Sequence, residues 1–323
     1  MPGSDIEAGY PSDAALRHHL RELLKVRGAT APHCEITERE PLELARTHPS
    51  ERVVCLVDGR REELYCKYGG HSDAAHLRHG HRHGIRYEAA VYEHTLRAID
   101  LPIARFRGAV ESGESTWLVM DYLNSAGPVS RTGIAGALSE AGRWLGSFHR
   151  QSAVIAVSPA AEFLYRHSAA HYLGCAERTL EFAAPLITQY PWLAAAANRY
   201  AEWAVPQLLA EQAVIHGEFY SSNVLYRDGE VVPVDWESAA VGAPEIDLAF
   251  LLEGWSDADR TSVIEAYASA RWPNGSRPDI SSRLQAATMF SQFRWLGDRP
   301  EWTVDRENRW RFKILRECAG TGA

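Results

Sequence analysis

The chain has 323 residues, of which 46% are hydrophobic and 24% charged, and its formal net charge is −8. This length allows two lobes with separate cores, whereas the negative charge argues against a dedicated nucleic-acid-binding protein, which needs a basic face. No run approaches the roughly 18 apolar residues of a membrane span, so no membrane partner is expected. The five cysteines are scattered without a CxxC pair, and the N-terminus shows no secretory signal; both features favour the cytoplasm.

The first third of the chain predicts one helix followed by β-structure. Leucines at helical spacing predict a helix over residues 13–24. From Cys34 to Gly69 the pattern is strand-like, and the runs ERVVCLV and REELYCKY are separated by Asp58-Gly59, a dipeptide that favours a tight hairpin turn. Residues 85–99 then predict an amphipathic helix, and TWLVMDYL, residues 116–123, predicts a buried strand.

The remainder of the chain reads mainly as helix from about Ile134 onward, with a clear amphipathic helix over residues 137–150. One β-rich segment, VLYRDGEVVPVDW, interrupts it, again with Asp-Gly at the turn. We therefore predict an α+β protein with a β-rich N-terminal lobe, residues 1–123, and a mainly helical C-terminal lobe, residues 124–323. The hinge between them is expected near Met120–Leu123.

The residues with the clearest chemistry lie in the segment 213–250. Asn223 precedes the first strand of the second hairpin and Asp235 ends the second strand, so antiparallel pairing would bring them together. An amide oxygen beside a carboxylate is a hard oxygen site suited to Mg²⁺. Glu218, five residues before Asn223, could face the same spot and accept a proton from an attacking hydroxyl. These are the groups that phosphoryl transfer requires.

Three motifs in this segment resemble the aminoglycoside phosphotransferase family, which comprises small-molecule kinases related to protein kinases. They are HGEFYSSN against the family's HGDxxxxN, PVDWE against VIDWE, and Gly242 to Ala249 against G-x-P-x-x-D-L-A. The resemblance implies a protein-kinase-like bilobal fold with Glu218 as the catalytic base, although aspartate is usual there. It further implies Asn223 and Asp235 as Mg²⁺ ligands and His216 and Asp247 as residues that support the loop.

The resemblance extends to the first lobe. Lys67 fits the strand lysine that holds the nucleotide phosphates, Glu88 fits its helix partner, and Glu93 on the same helix is the alternative. The backbone of the hinge strand would read the adenine edge through Met120, Asp121, Tyr122 and Leu123. No GxGxxG or Walker sequence occurs, so the contacts of a phosphate loop are not assigned.

Two further segments carry open alternatives. The acidic residues Glu253 and Asp257 could neutralise an amino-sugar substrate, and Trp255 and later tryptophans could wall a sugar-like pocket; both sets could equally be solvated charges and packing aromatics. Five histidines between His71 and His83 could bind a transition metal, contact phosphates or lie in a solvated loop.

We accordingly expect an ATP- or GTP-dependent, Mg²⁺-requiring O-phosphotransferase. Its acceptor would be a hydroxylated small molecule, either an antibiotic or other glycosylated natural product, or a metabolite of the choline or sugar type. A non-catalytic nucleotide-binding pseudokinase is the alternative from another class, because of Glu218 and the missing glycine loop. A protein kinase is disfavoured, because the chain has HGE rather than HRD and lacks DFG.

Overall fold

A computed structural model of the chain describes residues 9–25, 32–42, 48–70, 82–113, 115–275 and 277–320. The chain divides into two compact units, the first comprising residues 1–97 and 103–126 and the second residues 98–102 and 127–323. None of the described helices is long and apolar enough to cross a membrane.

The first unit is built on an antiparallel five-stranded sheet with the strand order β1-β2-β3-β5-β4. Its elements are α1 (Asp13–Leu23), β1 (Cys34–Pro41), β2 (Ser50–Val57), β3 (Arg60–Gly70), α2 (Gly84–Ala90), β4 (Phe106–Ser112) and β5 (Ser115–Asp121). The predicted helix and hairpin are confirmed: Ser12 caps α1, and Asp58-Gly59 turns between β2 and β3 with φ of +48° and +78°. Both positive φ values are those of the turn that Asp-Gly favours.

The core of the first unit lies between α1 and the sheet. Leu16 and Leu20 of α1 pack against buried residues of β2 and β3 that include Val53 and Leu64. Both β2 and β3 are rich in residues that favour strands and are joined by the Asp-Gly turn, which explains why they were predictable from the sequence.

The predicted helix over residues 85–99 is shorter and less regular than expected. After α2 the chain continues in a wider π-type turn, Val91–Thr95, and a 3₁₀ turn, Leu96–Ala98. Strand β4 had no sequence prediction, because Gly108 interrupts its alternation with φ +144° at a point where the pairing register shifts.

The second unit is mainly helical and contains two small sheets with the orders β10-β9-β6 and β7-β11-β8. Its strands are β6 (Gly127–Pro128), β7 (Tyr165–Arg166), β8 (Ala213–Ile215), β9 (Val224–Arg227), β10 (Glu230–Pro233) and β11 (Ala240–Gly242). Its helices are α3 (Ala137–Ile155), α4 (Ala169–Phe182), α5 (Leu193–Arg199), α6 (Val205–Leu209), α7 (Glu245–Leu251), α8 (Asp257–Arg271), α9 (Ser281–Leu296), α10 (Pro300–Val304) and α11 (Arg309–Ala319). The predicted hairpin of β9 and β10 is confirmed, with Asp228-Gly229 at its turn.

One close helix approach and one buried helix fix the helical framework around the functional residues. A side chain at Gly146 of α3 would place its Cβ 2.2 Å from the Tyr267 carbonyl oxygen of α8, so glycine lets these two helices meet backbone to backbone. Helix α9 lies in the centre of the core of the second unit, where Met289, Phe290 and Phe293 are fully buried. Residues on α7, α8 and α9 are therefore held by packed, rigid elements.

Candidate active site

The loop between β8 and β9, residues 216–223, carries Glu218 and Asn223. Gly217 has φ +81°, and a Cβ there would lie 2.1 Å from the Ser238 carbonyl oxygen. Only glycine fits this turn, which directs the chain from β8 into Glu218. The Tyr220 N–H then donates to the Glu218 carbonyl at 2.7 Å, and the Asn223 N–H donates to the Tyr220 carbonyl at 2.8 Å.

Asp247 holds the start of this loop from α7. Its carboxylate is fully buried and accepts hydrogen bonds from the backbone N–H groups of His216, at 2.7 Å, and Gly217, at 2.8 Å. The Nε2 atom of the His149 ring lies 3.1 Å from Oδ2 of the same carboxylate. Backbone donors and an imidazole thus hold the Asp247 carboxylate against the start of the loop, and the supporting role that the family resemblance implied stays a prediction.

His216 ties the loop to the end of β10. Its Nε2 lies 2.9 Å from the Val234 carbonyl, and its Nδ1 accepts from the Glu218 N–H at 3.3 Å. Because a carbonyl only accepts and a backbone N–H only donates, the ring is the neutral Nε2–H tautomer in this arrangement. His216 has a hydrogen-bonding role here and its ring nitrogens are occupied by backbone groups.

Three carboxylates meet beyond the hairpin. One oxygen each of Glu218, Asp235 and Glu237 lies within 4.8 Å of the other two. Asp235 adopts φ +69° immediately after β10, and Glu218 and Glu237 are buried. Within the described part of the chain, no other three His, Cys, Asp or Glu side chains come this close. Glu237 had no assigned role from the sequence, although it is the last letter of the PVDWE motif.

Asn223 joins the same group through its backbone and its amide. Its carbonyl accepts from the Val234 N–H at 2.9 Å, which places Asn223 opposite the residue before Asp235. Its Nδ2 donates to the Glu218 carbonyl at 3.1 Å. Since only the NH₂ group can donate to a carbonyl, Oδ1 is the amide atom that could act as a metal ligand; it also accepts from the Ser222 hydroxyl at 3.5 Å.

This donor set fits a magnesium ion. Three carboxylates so close together repel one another, and a divalent cation relieves that repulsion. Carboxylate and amide oxygens are the ligands that Mg²⁺ prefers, with phosphate oxygens and water completing its octahedron. Asn223, Asp235 and Glu237 are therefore the residues that could hold the ion.

Glu218 also forms an ion pair that the sequence did not reveal. Arg294 of α9 lies with a guanidinium nitrogen 2.6 Å from Glu218 Oε1, and the two side chains are only 5% and 4% exposed. The residues are 76 positions apart, and nothing in the motifs points to α9. A buried charge pair of this kind is seen only once the helix is placed in three dimensions.

In the first unit the structure brings Lys67 and Glu88 together. Lys67 Nζ, on β3, lies 2.8 Å from Glu88 Oε2, on α2, and both side chains are buried. Glu93, the alternative partner, instead has a side chain that is 61% exposed. The pair is the arrangement expected of a lysine that is positioned for phosphates, and that role stays a prediction.

The four residues predicted to read a nucleobase occupy the end of β5 and the chain after it. The backbone N–H of Asp121 donates to the Arg105 carbonyl, and the N–H of Tyr122 donates to the Glu63 carbonyl, each at 2.9 Å. These two donors are therefore engaged within the first unit. The prediction that this segment contacts a nucleobase therefore concerns backbone groups other than these two N–H groups.

The three residues predicted to contact substrate have different surroundings. Glu253 pairs with Arg311 at 3.1 Å, so its charge is already compensated. Trp255 is half-buried and Asp257 is exposed at the first turn of α8. Of the five histidines between His71 and His83, only His83 lies within the described residues. Its ring centroid is 4.6 Å from that of Tyr87.

Comparison with known proteins identifies the family. The sequence model of the Phosphotransferase enzyme family matches residues 36–278, which is more than half of the chain, and the chain belongs to this family. No curated protein sequence matches the chain significantly.

Solved structures agree on the fold. A macrolide 2′-phosphotransferase from Brachybacterium faecium superposes with a TM-score of 0.58 at 17% identity, covering 97% of this chain and 99% of that chain. A choline kinase from Streptococcus pneumoniae gives 0.62 at 13% identity, over 96% and 99%. An aminoglycoside 2′-phosphotransferase-IIIa in its GDP complex gives 0.60 at 13%, over 95% and 98%. The predicted α+β, protein-kinase-like fold is confirmed.

Proposed function

We propose that this protein is a magnesium-dependent small-molecule kinase that transfers the γ-phosphoryl group of ATP or GTP to a hydroxyl group. The observation that carries the proposal is the meeting of Glu218, Asp235 and Glu237 within 4.8 Å beside Asn223, in a family of phosphotransferases. Proton acceptor and metal ligands for phosphoryl transfer are then present in one cluster.

The roles follow from the chemistry of each group. Glu218 accepts the proton of the attacking hydroxyl, because it occupies the base position of the family's loop motif and a carboxylate can act as a proton acceptor. Asn223, Asp235 and Glu237 hold Mg²⁺, which when bound neutralises charge on the nucleotide phosphates. Lys67, held by Glu88, binds those phosphates.

The acceptor we favour is an antibiotic or another glycosylated natural product, with a choline- or sugar-type metabolite as the other candidate. Two of the similar structures are named as antibiotic phosphotransferases and one as a choline kinase, which supports this range. The ion pair between Glu253 and Arg311 disfavours a polycationic acceptor at that point, because Arg311 already neutralises the carboxylate. Such an enzyme would work in the cytoplasm, where it meets the nucleotides.

The direct test replaces Asp235 by asparagine. Phosphate transfer from Mg²⁺-ATP and Mg²⁺-GTP to a panel of hydroxylated compounds, and phosphate release to water, are measured by mass spectrometry and phosphate assay. Asp235→Asn is expected to lower turnover by roughly 10²- to 10³-fold, because one metal-binding charge is lost. Near-normal turnover would remove the proposed metal role.

Asp228→Asn is the matched control. It makes the same change in the same hairpin, but Asp228 is 90% exposed at a turn with φ +52°, a conformation that asparagine tolerates. Its turnover should equal that of the unmodified protein.

A non-catalytic nucleotide-binding protein is the second candidate. The observation that favours it is the ion pair of Arg294 with Glu218 Oε1, since in a non-catalytic protein this carboxylate would have a structural role. Stabilisation by Mg²⁺-ATP or Mg²⁺-GTP without phosphorylated product from a broad panel, and without phosphate release, would select this candidate.

A further inference from the structure

Glu218 stands where its family usually has aspartate, and the extra methylene moves its carboxylate about 1.5 Å further from the backbone. A longer side chain has one more rotatable bond, so it holds a proton acceptor less firmly. In this protein a second contact fixes the carboxylate: Arg294 reaches Glu218 Oε1 at 2.6 Å, with both side chains buried.

Contacts with helix α4 hold the backbone on both sides of Arg294. The carbonyl of Phe293, the preceding residue, accepts from Thr179 Oγ1 at 2.9 Å, and the carbonyl of Gly297 accepts from Arg178 Nε at 2.9 Å. Helix α4 therefore fixes the C-terminal end of α9 on both sides of Arg294. The guanidinium group also lies 5.4 Å from the ring centre of Phe250 on α7, the helix that carries Asp247.

The carboxylates near Glu218 make a positive charge at Arg294 electrostatically favourable. Glu218, Asp235 and Glu237 would carry three negative charges within 4.8 Å when ionised. Arg294 supplies one buried positive charge directly to Glu218, one of these three carboxylates. The arginine thereby separates the carboxylate that serves as base from those that serve as metal ligands.

We propose that Arg294 is a positioning residue that holds the longer Glu218 side chain in place for proton transfer. This inference rests on the proposed function. Glu218→Asp, which restores the family's usual residue, should therefore lower activity, because the shorter carboxylate withdraws from Arg294.

The ion pair is tested first without nucleotide. Thermal unfolding is measured for Glu218→Gln, Arg294→Met and the double variant. Each single change removes the partner with which the remaining buried charge is paired, so the double variant should lose less thermal stability than the sum of the two single variants. Additive losses would show that the two side chains do not interact, and would overturn the inference.

The positioning role is tested next by the kinetics of phosphate release from Mg²⁺-ATP or Mg²⁺-GTP. Arg294→Met should lower kcat by about 100-fold with the nucleotide KM unchanged, because a misplaced base affects the chemical step rather than nucleotide binding. Arg294→Lys keeps the charge on a shorter, more flexible group and should recover part of this loss.

The matched control is Arg178→Met, which weakens the anchor of the same helix end without touching Glu218. It should lower thermal stability but leave kcat near that of the unmodified protein. Equal kcat losses in Arg178→Met and Arg294→Met would mean that Arg294 acts only through folding, and would overturn the positioning role.

The two proposals fail in different ways. If the unmodified protein neither releases nor transfers phosphate, the proposed kinase function fails, whatever the unfolding data show about the ion pair. If it is active and the Arg294 variants keep their kcat, or Glu218→Asp is as active as the unmodified protein, the positioning role fails and the kinase function stands.

Discussion

His149 is a buried imidazole placed between two polar groups of the second unit. Its Nε2 lies 3.1 Å from Asp247 Oδ2, and its Nδ1 lies 3.1 Å from the Tyr267 hydroxyl. Burial lowers the pKa of His149 below its ordinary value of 6.5, although the contact with Asp247 opposes that shift. The ring is therefore neutral at neutral pH, donating to Asp247 and accepting from Tyr267.

This lowered pKa predicts a loss of stability on acidification. The unfolded chain binds the proton of this histidine more readily than the folded chain, so stability falls as the pH drops from about 6.5 towards the folded pKa. His149→Gln removes the titration while keeping an amide that can donate to Asp247. Melting temperatures measured between pH 7 and pH 5 should then depend less steeply on pH.

His94→Gln provides the comparison, since His94 is 55% exposed and the same substitution there removes one histidine from the surface. Its melting temperature should follow the pH dependence of the unmodified protein. An unchanged slope for His149→Gln would show that this imidazole does not contribute to acid sensitivity.

At the level of single residues, the sequence indicated those whose role depends on a local motif. Asp247 contacts the start of the loop, and His216 links the loop to the end of β10, because loop, hairpin and helix α7 follow one another within one short segment. Glu237 was within reach of the same reasoning, two residues after Asp235. Arg294 was not, because its contact with Glu218 depends on the packing of α9, and helix periodicity says nothing about which distant loop a helix meets.

Two glycines with nearly equal φ angles allow the cost of a left-handed backbone to be distinguished from the cost of a steric clash. Gly217 has φ +81° and a Cβ there would clash with the Ser238 carbonyl, whereas Gly59 has φ +78° and nothing within 4 Å of such a Cβ. Gly59→Ala is expected to cost roughly 1–2 kcal/mol of stability, the cost of a left-handed conformation. Gly217→Ala adds a backbone clash and should cost more.

The Gly217 variant should also lose phosphate release, because the loop that carries Glu218 must move away from Ser238. Urea unfolding and the phosphate assay on both variants check this prediction. If Gly217→Ala is no less stable than Gly59→Ala and fully active, the loop tolerates a displacement that the structure does not suggest.

The elements that the sequence indicated share a strong local signal. Both hairpins have Asp-Gly at the turn, and α1 and α3 have apolar residues at regular helical spacing. Elements without such a signal were missed. Strands β6, β7, β8 and β11 are two or three residues long, too short for any alternation, and they exist because neighbouring segments supply their hydrogen bonds. The wider turn that follows α2, Val91–Thr95, likewise has no sequence signature.

Each of the two units has a hydrophobic core, and each holds part of the proposed nucleotide-binding machinery. The buried pair of Lys67 and Glu88 belongs to the first unit, and the acidic cluster around Asp235 belongs to the second. We therefore expect the lysine pair and the acidic cluster to contribute differently to ligand binding. The lysine should act on the phosphates of the nucleotide, and the acidic cluster should act only when a metal ion is bound.

Ligand-dependent stability of the whole molecule tests this division. A nucleotide that binds only the folded state stabilises it by about 2.7 kcal/mol when its free concentration is 100 times its Kd. Mg²⁺-ATP or Mg²⁺-GTP should therefore raise the melting temperature, and EDTA should remove the magnesium-dependent part of this increase. Asp235→Asn should abolish only that part, whereas Lys67→Met should weaken stabilisation with and without magnesium. Lys67→Met will also lower the stability of the free protein, because it leaves Glu88 buried without its lysine, so each shift is measured against the same variant without ligand.

Lys313→Met, at a side chain that is 79% exposed, is the control and should respond to nucleotide as the unmodified protein does. Equal ligand-induced shifts in Lys67→Met and Lys313→Met would exclude Lys67 from nucleotide binding.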